Sequence, residues 1–234
     1  MGRRNKLQKF ADLLTFDNVY ENIHQDDPNN TFLLAAPNTN VELRGKWQSQ
    51  HFKNDNPIVL ELACGRGEYS IALAEQYPDI NFIGVDIKGA RIWQGSRIAK
   101  AAELQNVAFL RTRIEMINSF FESGEVSEIW ITFPDPFLRE SKSDRRLTSQ
   151  PFLDRYRKII KNEGILHLKT DDPTLYEYSM ETLENCSFVN IDYHKDDIYN
   201  SALAYDELEY KTYYEKQHLQ KGRTIKYIRC SIQL

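Results

Sequence analysis

From residue 57 onward, short apolar runs of strand length alternate with longer segments of helical periodicity. Seven such runs can be read along the chain: PIVLEL (57–62), INFIGVD (80–86), VAFLR (107–111), EIWITF (128–133), GILHLKT (164–170), SFVNIDYH (187–194) and TIKYIRCSIQL (224–234). Helical patterns separate the first six, which predicts a doubly wound α/β fold, a mostly parallel sheet with helices on both faces. The last two runs lack a helix between them, which predicts an antiparallel edge strand.

The predicted helices lie between these strands, at residues 69–77, 88–104, 114–121, 148–161 and 174–185. A polar, Tyr-rich insert separates the last two strands, at residues 195–223, and a loop of that length is usually functional or disordered. Residues 1–55 have weak periodicity and many Asn, Asp and Pro residues. We expect residues 1–55 to be an N-terminal appendage, partly mobile with a basic start, ahead of a single domain at 56–234.

Composition limits the class of protein. Hydrophobic residues make up 41% of the chain and aromatic residues 12%, enough for a sizeable core. No run approaches the length of a membrane span, and the basic start lacks the apolar segment of a secretory signal. The three cysteines, Cys64, Cys186 and Cys230, are too widely spaced for a disulfide framework or a zinc site. We therefore expect a cytoplasmic protein without a metal. The sequence leaves its oligomeric state open between a monomer and a homodimer.

Charge is unevenly distributed along the chain. The net charge of −4 does not by itself suggest a nucleic-acid partner, yet residues 1–9 carry four positive charges and no negative one. Two further basic clusters are formed by Arg139, Lys142, Arg145 and Arg146, and by Lys221, Arg223, Lys226 and Arg229. Acidic residues gather between Asp192 and Glu209. The pattern fits either a solvated mixed-charge surface or basic patches for a polyanion.

A glycine-containing turn follows the first predicted strand. In LELACGRGEYS (60–70), Gly65 and Gly67 stand between a strand and a helix, at the sheet edge where doubly wound folds bind ligands. Ser70 replaces the third glycine of a dinucleotide fingerprint, and no G-K-[ST] follows, which excludes a P-loop. Glu61 lies in the strand and Asp86 ends the next one, where a carboxylate accepts hydrogen bonds from a ribose diol. These residues fit a cofactor that contains a ribose, while the missing third glycine weakens the case for a dinucleotide and a purely structural turn is the alternative.

FPDPF (133–137) ends the fourth predicted strand, at the same sheet edge as the glycine turn. Pro134 and Pro136 restrict the backbone on both sides of Asp135 and prevent the strand from continuing. A carboxylate held in this way is expected to face the ligand crevice. The alternative is an ordinary strand exit in which Asp is a turn former.

Four segments together resemble a known family. ELACGRGE with the later VDI is similar to the first two motifs of S-adenosylmethionine-dependent methyltransferases. FPDPFLRESKSDRRL, LKTDDPTLYEYS and TYYEKQHLQKGRTIKYIRC resemble, in order, three motifs of the tRNA (guanine-N7-)-methyltransferase family. The resemblance spans roughly residues 57 to 230 and implies a Rossmann-like class I methyltransferase fold. It also implies transfer of methyl from S-adenosylmethionine to N7 of the variable-loop guanosine at position 46 of tRNA.

The resemblance also implies roles for individual residues. The cofactor would be bound by Glu61, Gly65, Gly67, Asp86, Arg113 and Asp135. Asp135 would be the catalytic carboxylate beside the cofactor and the base. The target guanosine would be held by Arg139, Asp171, Thr212, Tyr213, Tyr214 and Glu215. The RNA would be contacted by Lys142, Arg145 and Arg146 within the segment 141–146.

This chain departs from the family pattern at two positions. Phe137 replaces the usual Trp, a mild change for an aromatic platform. Arg113 stands in LRTRIE where the family commonly has an Asp on the adenine side of the cofactor. A contact from Arg113 to the cofactor would therefore use different chemistry, through its backbone or with Ile114 packing on the adenine.

Two further functions remain compatible with the sequence. One is a methyltransferase acting on another nitrogen acceptor, although such enzymes often have an N-P-P-Y-like corner where this chain has Asp135. The other is a catalytically dead RNA-binding module, against which the retained Glu61, Asp86, Asp135 and Asp171 argue. Binding of S-adenosylmethionine would separate the two. No cluster of Cys or His suggests metal or covalent catalysis.

Overall fold

The computed structural model describes residues 5–234 and contains ten strands and six α-helices in that range. Contacts group the chain into two compact units, Met1–Glu122 and Ser123–Leu234. The seven strands predicted from residue 57 onward are all present, and the mixed α/β class is confirmed. The three additional strands come from the N-terminal segment. No helix among residues 5–234 is both long and apolar enough to cross a membrane.

The first unit contains six strands. They are β1 (Val19–Glu21), β2 (Leu33–Ala35), β3 (Thr39–Val41), β4 (Ile58–Leu62), β5 (Asn81–Asp86) and β6 (Val107–Arg111). Their order is β3-β2-β1-β6-β5-β4. Strands β4, β5, β6 and β1 are mutually parallel, and β1, β2 and β3 pair in antiparallel fashion. The helices are α1 (Lys6–Leu13), α2 (Glu68–Gln76) and α3 (Gly89–Ala101), with a π-helix at Trp47–Phe52 and a 3-10 helix at Ile114–Ser119.

The second unit contains four strands, β7 (Val126–Thr132), β8 (Ile160–Thr170), β9 (Val189–Lys195) and β10 (Lys226–Ile232). Their order is β7-β8-β10-β9; β7 and β8 are parallel, and β10 is antiparallel to both β8 and β9. The antiparallel pairing of the last two strands is therefore confirmed. The helices are α4 (Gln150–Tyr156), α5 (Pro173–Glu184) and α6 (Tyr213–Gln220), with 3-10 helices at Glu140–Arg145, Ile198–Asn200 and Asp206–Glu209.

Two predicted segments differ from the structure. The helix expected at 148–161 ends at Tyr156, because Ile160 already pairs with Val126 and begins the eleven-residue strand β8. The insert at 195–223 was predicted as a loop but contains α6. That helix starts with a capping box in which the Thr212 hydroxyl accepts from the Glu215 N–H and the Glu215 carboxylate accepts from the Thr212 N–H.

The described part of the N-terminal segment is packed into the first unit. The N–H of Asn22 donates to the carbonyl of Arg111, extending the pairing of β1 with β6. Trp47 is fully buried, donates from Nε1 to the Phe120 carbonyl at 2.9 Å and stacks on Phe121. The domain boundary at residue 56 stays a prediction. Residues 1–4 of the basic start lie outside the described residues.

Candidate active site

The turn between β4 and α2 has a left-handed backbone at three positions. Ala63, Gly65 and Gly67 have φ angles of 57°, 59° and 65°. A Cβ on Gly67 would lie 2.4 Å from the Phe109 ring, so this position requires glycine for space as well as for conformation. The turn is fastened to β5 by the N–H of Cys64, which donates to the Val85 carbonyl at 3.1 Å.

Two buried carboxylates hold the glycine turn in place. Asp86, at the end of β5, accepts from the Gly65 N–H at 2.9 Å and from the Lys88 N–H at 2.7 Å. Glu61, in β4, accepts through Oε2 from the N–H of Ser70 at 3.0 Å and from its hydroxyl at 2.5 Å. Ser70, which stands where a dinucleotide fingerprint has its third glycine, therefore binds Glu61 through both its backbone and its side chain. The sequence pattern showed only that the glycine was missing.

Cys64 lies in the turn but is not poised as a nucleophile. Burial, together with the carboxylates of Glu61 and Asp86, raises the pKa of the thiol well above its usual value. The thiol therefore stays protonated at neutral pH, and the reactive form of cysteine is the thiolate. The turn is suited to ligand binding rather than to covalent catalysis.

In the second unit, β7 ends in a strained turn at FPDPF. Phe133 and Phe137 have φ angles of 48° and 43°, which are rare for bulky residues. The N–H of Phe133 donates to the Lys169 carbonyl at 2.8 Å, which anchors the entry to the turn. Asp135 is exposed at the apex, between the two prolines. The turn therefore presents a carboxylate on a stiff and strained backbone.

Arg146 holds the exit of this turn. Its Nε donates to the Pro136 carbonyl and its Nη2 to the Phe137 carbonyl, both at 3.1 Å. The guanidinium also lies 4.2 Å from the centre of the Tyr178 ring. Arg146 is only 5% exposed, so its charge is engaged inside the protein. The two hydrogen bonds satisfy the Pro136 and Phe137 carbonyls of the strained turn.

Asp171 follows β8 directly and is surrounded by basic groups. Its Oδ2 accepts from Nη1 of Arg223 at 2.5 Å. Nδ1 of His218 lies 3.1 Å from the same oxygen, but its alignment does not make a hydrogen bond. The His218 ring is stacked near Phe133, with centroids 5.9 Å apart and planes inclined by 14°. The Asp171 side chain is 11% exposed, so a ligand could reach it only by a narrow approach.

The TYYE segment divides between the interior and the surface. Glu215 is fully buried and lies 2.9 Å from Nζ of the fully buried Lys169. Thr212 is buried as the N-cap of α6. Tyr213 and Tyr214 are exposed and form an edge-to-face pair with centroids 5.7 Å apart. The two tyrosines are the exposed residues of this segment, and the contacts of Thr212 and Glu215 with the guanosine stay predictions.

Comparison with known proteins places this chain in a family. A family described as "Putative methyltransferase" matches residues 55–228. A tRNA (guanine-N(7)-)-methyltransferase of Bacteroides fragilis is 48% identical over 98% of this chain and 86% of its own length. The enzyme of the same name from Christiangramia forsetii is 45% identical over 99% of this chain and 100% of its own length. The chain belongs to the tRNA (guanine-N(7)-)-methyltransferase family.

Solved structures agree with this membership at the level of the fold. The 16S rRNA methyltransferase KamB has a TM-score of 0.61 at 15% identity, over 84% of this chain and 97% of its own. An antibiotic-related methyltransferase has a TM-score of 0.59 at 20% identity, over the same shares of the two chains. At such identities the likeness concerns the fold alone. It agrees with the predicted Rossmann-like methyltransferase sheet.

Within this tRNA (guanine-N(7)-)-methyltransferase family member, the predicted basic residues occupy different environments. Arg139, Lys142 and Arg145 are exposed along the segment after the FPDPF turn. Arg146 is 5% exposed, and its Nε and Nη2 are bonded to the two carbonyls of the turn; its contact with RNA stays a prediction. Through these two contacts Arg146 holds the FPDPF turn.

Arg113 contacts an acidic residue of the N-terminal segment. Its Nη1 lies 3.4 Å from Oδ1 of Asp26, and both side chains are exposed. A neighbouring basic residue, Arg111, makes a more buried ion pair with Glu21, at 2.7 Å. A contact from Arg113 to the cofactor stays a prediction.

The sequence indicates Arg223 only as part of a basic cluster and gives no role to Ser70 or His218, yet the structure places all three near predicted site residues. Ser70 binds Glu61. His218 and Arg223 both lie against Asp171. Ser70 could not be found because no pattern links it to a strand residue nine positions earlier. His218 and Arg223 are separated from Asp171 by about fifty residues, so only the pairing of β8 with β10 and the course of α6 bring them near.

Proposed function

We propose that the protein transfers a methyl group from S-adenosylmethionine to N7 of guanosine in tRNA, at position 46 of the variable loop. The observation that carries the proposal is the identity of 45–48% with tRNA (guanine-N(7)-)-methyltransferases over almost the entire chain. The fold supports a methyltransferase, and the acidic residues at the strand ends support a nucleoside-containing cofactor and a purine acceptor.

The glycine turn suits the cofactor chemically. Asp86 uses two of its acceptor positions on the N–H groups of Gly65 and Lys88, which leaves further lone pairs for a ribose diol. Glu61 adds negative charge beside the turn, in keeping with a positively charged sulfonium. The residues that would hold the cofactor are Glu61, Gly65, Gly67 and Asp86, with Asp135 and Arg113 as further candidates. When bound, S-adenosylmethionine supplies an electrophilic methyl group.

The acceptor atom determines what the protein must provide. N7 of guanine carries a lone pair and no proton, so its attack on the methyl carbon needs no general base. The chain must orient the base, and orientation can supply several kcal/mol of the barrier. Methylation makes the purine ring cationic, and carboxylates near it stabilise that developing charge. We assign this role to Asp135, and the recognition of guanine N1–H and its exocyclic amine to Asp171.

The exposed residues after the FPDPF turn suit an RNA partner. Arg139, Lys142 and Arg145 would meet phosphates, which makes binding salt-dependent. Tyr213 and Tyr214 offer exposed rings of the kind on which RNA-binding proteins stack bases. Phe137, partly exposed next to Asp135, offers a third ring.

The test is transfer of labelled methyl from S-adenosylmethionine to unmodified tRNA, with the product nucleoside identified by chromatography. We expect N7-methylguanosine, and no incorporation into a tRNA in which guanosine 46 is replaced by adenosine. Binding of the cofactor without a tRNA product would contradict the proposal and direct the search to other nitrogen acceptors. Absence of cofactor binding would favour an RNA-binding module without activity.

A further inference from the structure

The carboxylate of Asp171 is held by a guanidinium of this same chain. Arg223 donates from Nη1 to Oδ2, while Oδ1 has no hydrogen-bond partner among residues 5–234. Asp171 is the residue that our proposed function assigns to the guanine base. The present inference rests on that assignment.

The edge of guanine that a carboxylate recognises is itself a guanidine. N1–H, C2 and the exocyclic amine present two parallel N–H donors, in the same fork that arginine offers to a carboxylate. A carboxylate positioned to bind one of these forks is suited to bind the other. Arg223 therefore imitates, in the RNA-free protein, the donors of the base that Asp171 would receive.

We propose that Arg223 is a displaceable placeholder in the guanine subsite. In the protein without RNA, its guanidinium is hydrogen-bonded to the carboxylate of Asp171. When tRNA binds, the guanine edge replaces the guanidinium on Asp171, and the released Arg223 pairs with an RNA phosphate. Arg223 thus helps the protein to distinguish a guanosine within tRNA from free guanosine.

The surroundings of Arg223 allow its side chain to leave while its backbone stays. The side chain is 55% exposed, and an ion pair in contact with water is weak. The N–H of Arg223 donates to the His218 carbonyl at 3.1 Å, directly after Gly222, which has a φ of 72° and ends α6. The guanidinium can therefore swing on an anchored residue. His218, stacked near Phe133, remains beside Asp171 after the exchange.

The exchange affects a nucleoside and a tRNA in opposite ways. Free guanosine must displace Arg223 without offering it a new partner, so the placeholder weakens nucleoside binding. When a tRNA binds, one of its phosphates forms a new ion pair with the displaced guanidinium. Removing the guanidinium should therefore strengthen the binding of guanosine and weaken the binding of tRNA. A residue that merely orients Asp171 would weaken both.

The experiment compares Arg223→Met with the matched variant Lys221→Met. Lys221 is equally basic, exposed and two positions away, and it makes no contact with Asp171 among the described residues. Guanosine and adenosine are titrated into each full-length protein without methyl donor, with binding followed by NMR. The affinity for unmodified tRNA is then measured at several salt concentrations.

We expect Arg223→Met to bind guanosine about two- to fivefold more tightly than the unmodified protein, as the loss of a weak exposed ion pair implies. Adenosine binding should not change, and the slope of tRNA affinity against salt should fall by about 1. Lys221→Met should lower the slope without changing guanosine affinity. Unchanged or weaker guanosine binding in Arg223→Met, or no guanosine binding in any of the proteins, would overturn the inference. A failure of the proposed function would appear separately, as tRNA without N7-methylguanosine after incubation with the unmodified protein.

Discussion

Nζ of Lys169 lies 2.9 Å from Oε1 of Glu215, and both side chains are completely buried. Lys169 also donates to the Tyr210 carbonyl at 3.1 Å, and the Tyr199 hydroxyl donates to Glu215 at 2.6 Å. Burial lowers the pKa of Lys169, and the carboxylate of Glu215 opposes that effect. The pair joins β8, which ends next to Asp171, to the first turn of α6. Glu215 therefore has a structural role in this fold, and its predicted contact with the guanosine stays a prediction.

Breaking this pair should destabilise the protein strongly. Lys169→Met leaves the Glu215 carboxylate buried without its cationic partner, so we expect the free energy of unfolding to fall by about 3–5 kcal/mol. The change is measured by urea titration. The double variant Lys169→Met, Glu215→Leu should recover most of the loss, since no buried charge remains.

An exposed ion pair provides the control for that experiment. Lys100 lies 3.1 Å from Asp17, with both side chains largely in solvent. Lys100→Met should change the free energy of unfolding by no more than about 0.5 kcal/mol. A loss for Lys169→Met as small as that of Lys100→Met would show that the buried pair does not support the fold.

Arg146 and Arg145 are adjacent but should act on different kinetic quantities. Arg146→Met removes the donors that hold the Pro136 and Phe137 carbonyls, so the FPDPF turn loosens. We expect kcat to fall about 10- to 100-fold, because small displacements of a catalytic group are costly. The dependence of tRNA affinity on salt should stay unchanged.

Arg145→Met is the matched variant, with an exposed side chain. It should keep kcat and reduce the salt slope of tRNA binding by about 1, as the loss of one phosphate contact predicts. If Arg146→Met instead changes the salt slope and leaves kcat intact, then Arg146 binds RNA and its assignment to the turn is wrong.

Asp135→Asn should separate binding from chemistry. The amide keeps the shape of the side chain but removes the negative charge that stabilises the methylated, cationic ring. We expect methyl transfer to fall by about 100-fold or more, the size seen when one electrostatic contact to a transition state is removed. The affinity for tRNA should stay within about twofold, since RNA affinity depends mainly on phosphate contacts.

A neighbouring exposed aspartate, Asp144, supplies the comparison for this change. Asp144→Asn also removes one negative charge from the segment after the turn, but at a position without a proposed role. It should leave single-turnover rates unchanged. Equal rates for Asp135→Asn and the unmodified protein would refute the catalytic assignment of Asp135.

His51 should make the stability of the protein dependent on pH. Burial lowers the pKa of His51 from 6.5 to about 4, and its Nδ1 is hydrogen-bonded to the Tyr20 hydroxyl at 2.7 Å. Between these two pKa values the unfolded chain binds more protons than the folded one, so stability falls as the pH falls. At pH 5 the loss is about 2 kcal/mol relative to pH 7.5.

Substitution of His51 tests this contribution directly. In His51→Gln, the free energy of unfolding should fall by about 2 kcal/mol less between pH 7.5 and pH 5 than it does in the unmodified protein. The exposed His24 is the control, and His24→Gln should leave the pH dependence as it is. Equal pH dependence in the unmodified protein and His51→Gln would contradict the burial effect. Unfolding in urea at each pH provides the measurement.

Local pattern was sufficient for most of the fold. The strand-like runs from PIVLEL to TIKYIRCSIQL correspond to β4 through β10, because apolar runs of that length between turn residues have few other structures available. The end of α4 was misplaced, since the pairing of Ile160 with Val126 overrides the helical periodicity of residues 157–161. Strands β1 to β3 have three residues each, too few to show a period.

The sequence by itself determined the α/β class, the glycine turn and the order of the acidic residues Glu61, Asp86, Asp135 and Asp171, because these depend on neighbours in the chain. Tertiary structure alone decided which charges are available to a ligand. Arg145 and Arg146 are alike in sequence, yet one is in solvent and the other is engaged by the FPDPF turn. Glu215 and Asp171 are both acidic, yet one is paired with a buried lysine and the other with the exposed Arg223. The reason is physical: burial and ion pairing depend on residues distant in the chain, which only the folded protein brings into contact.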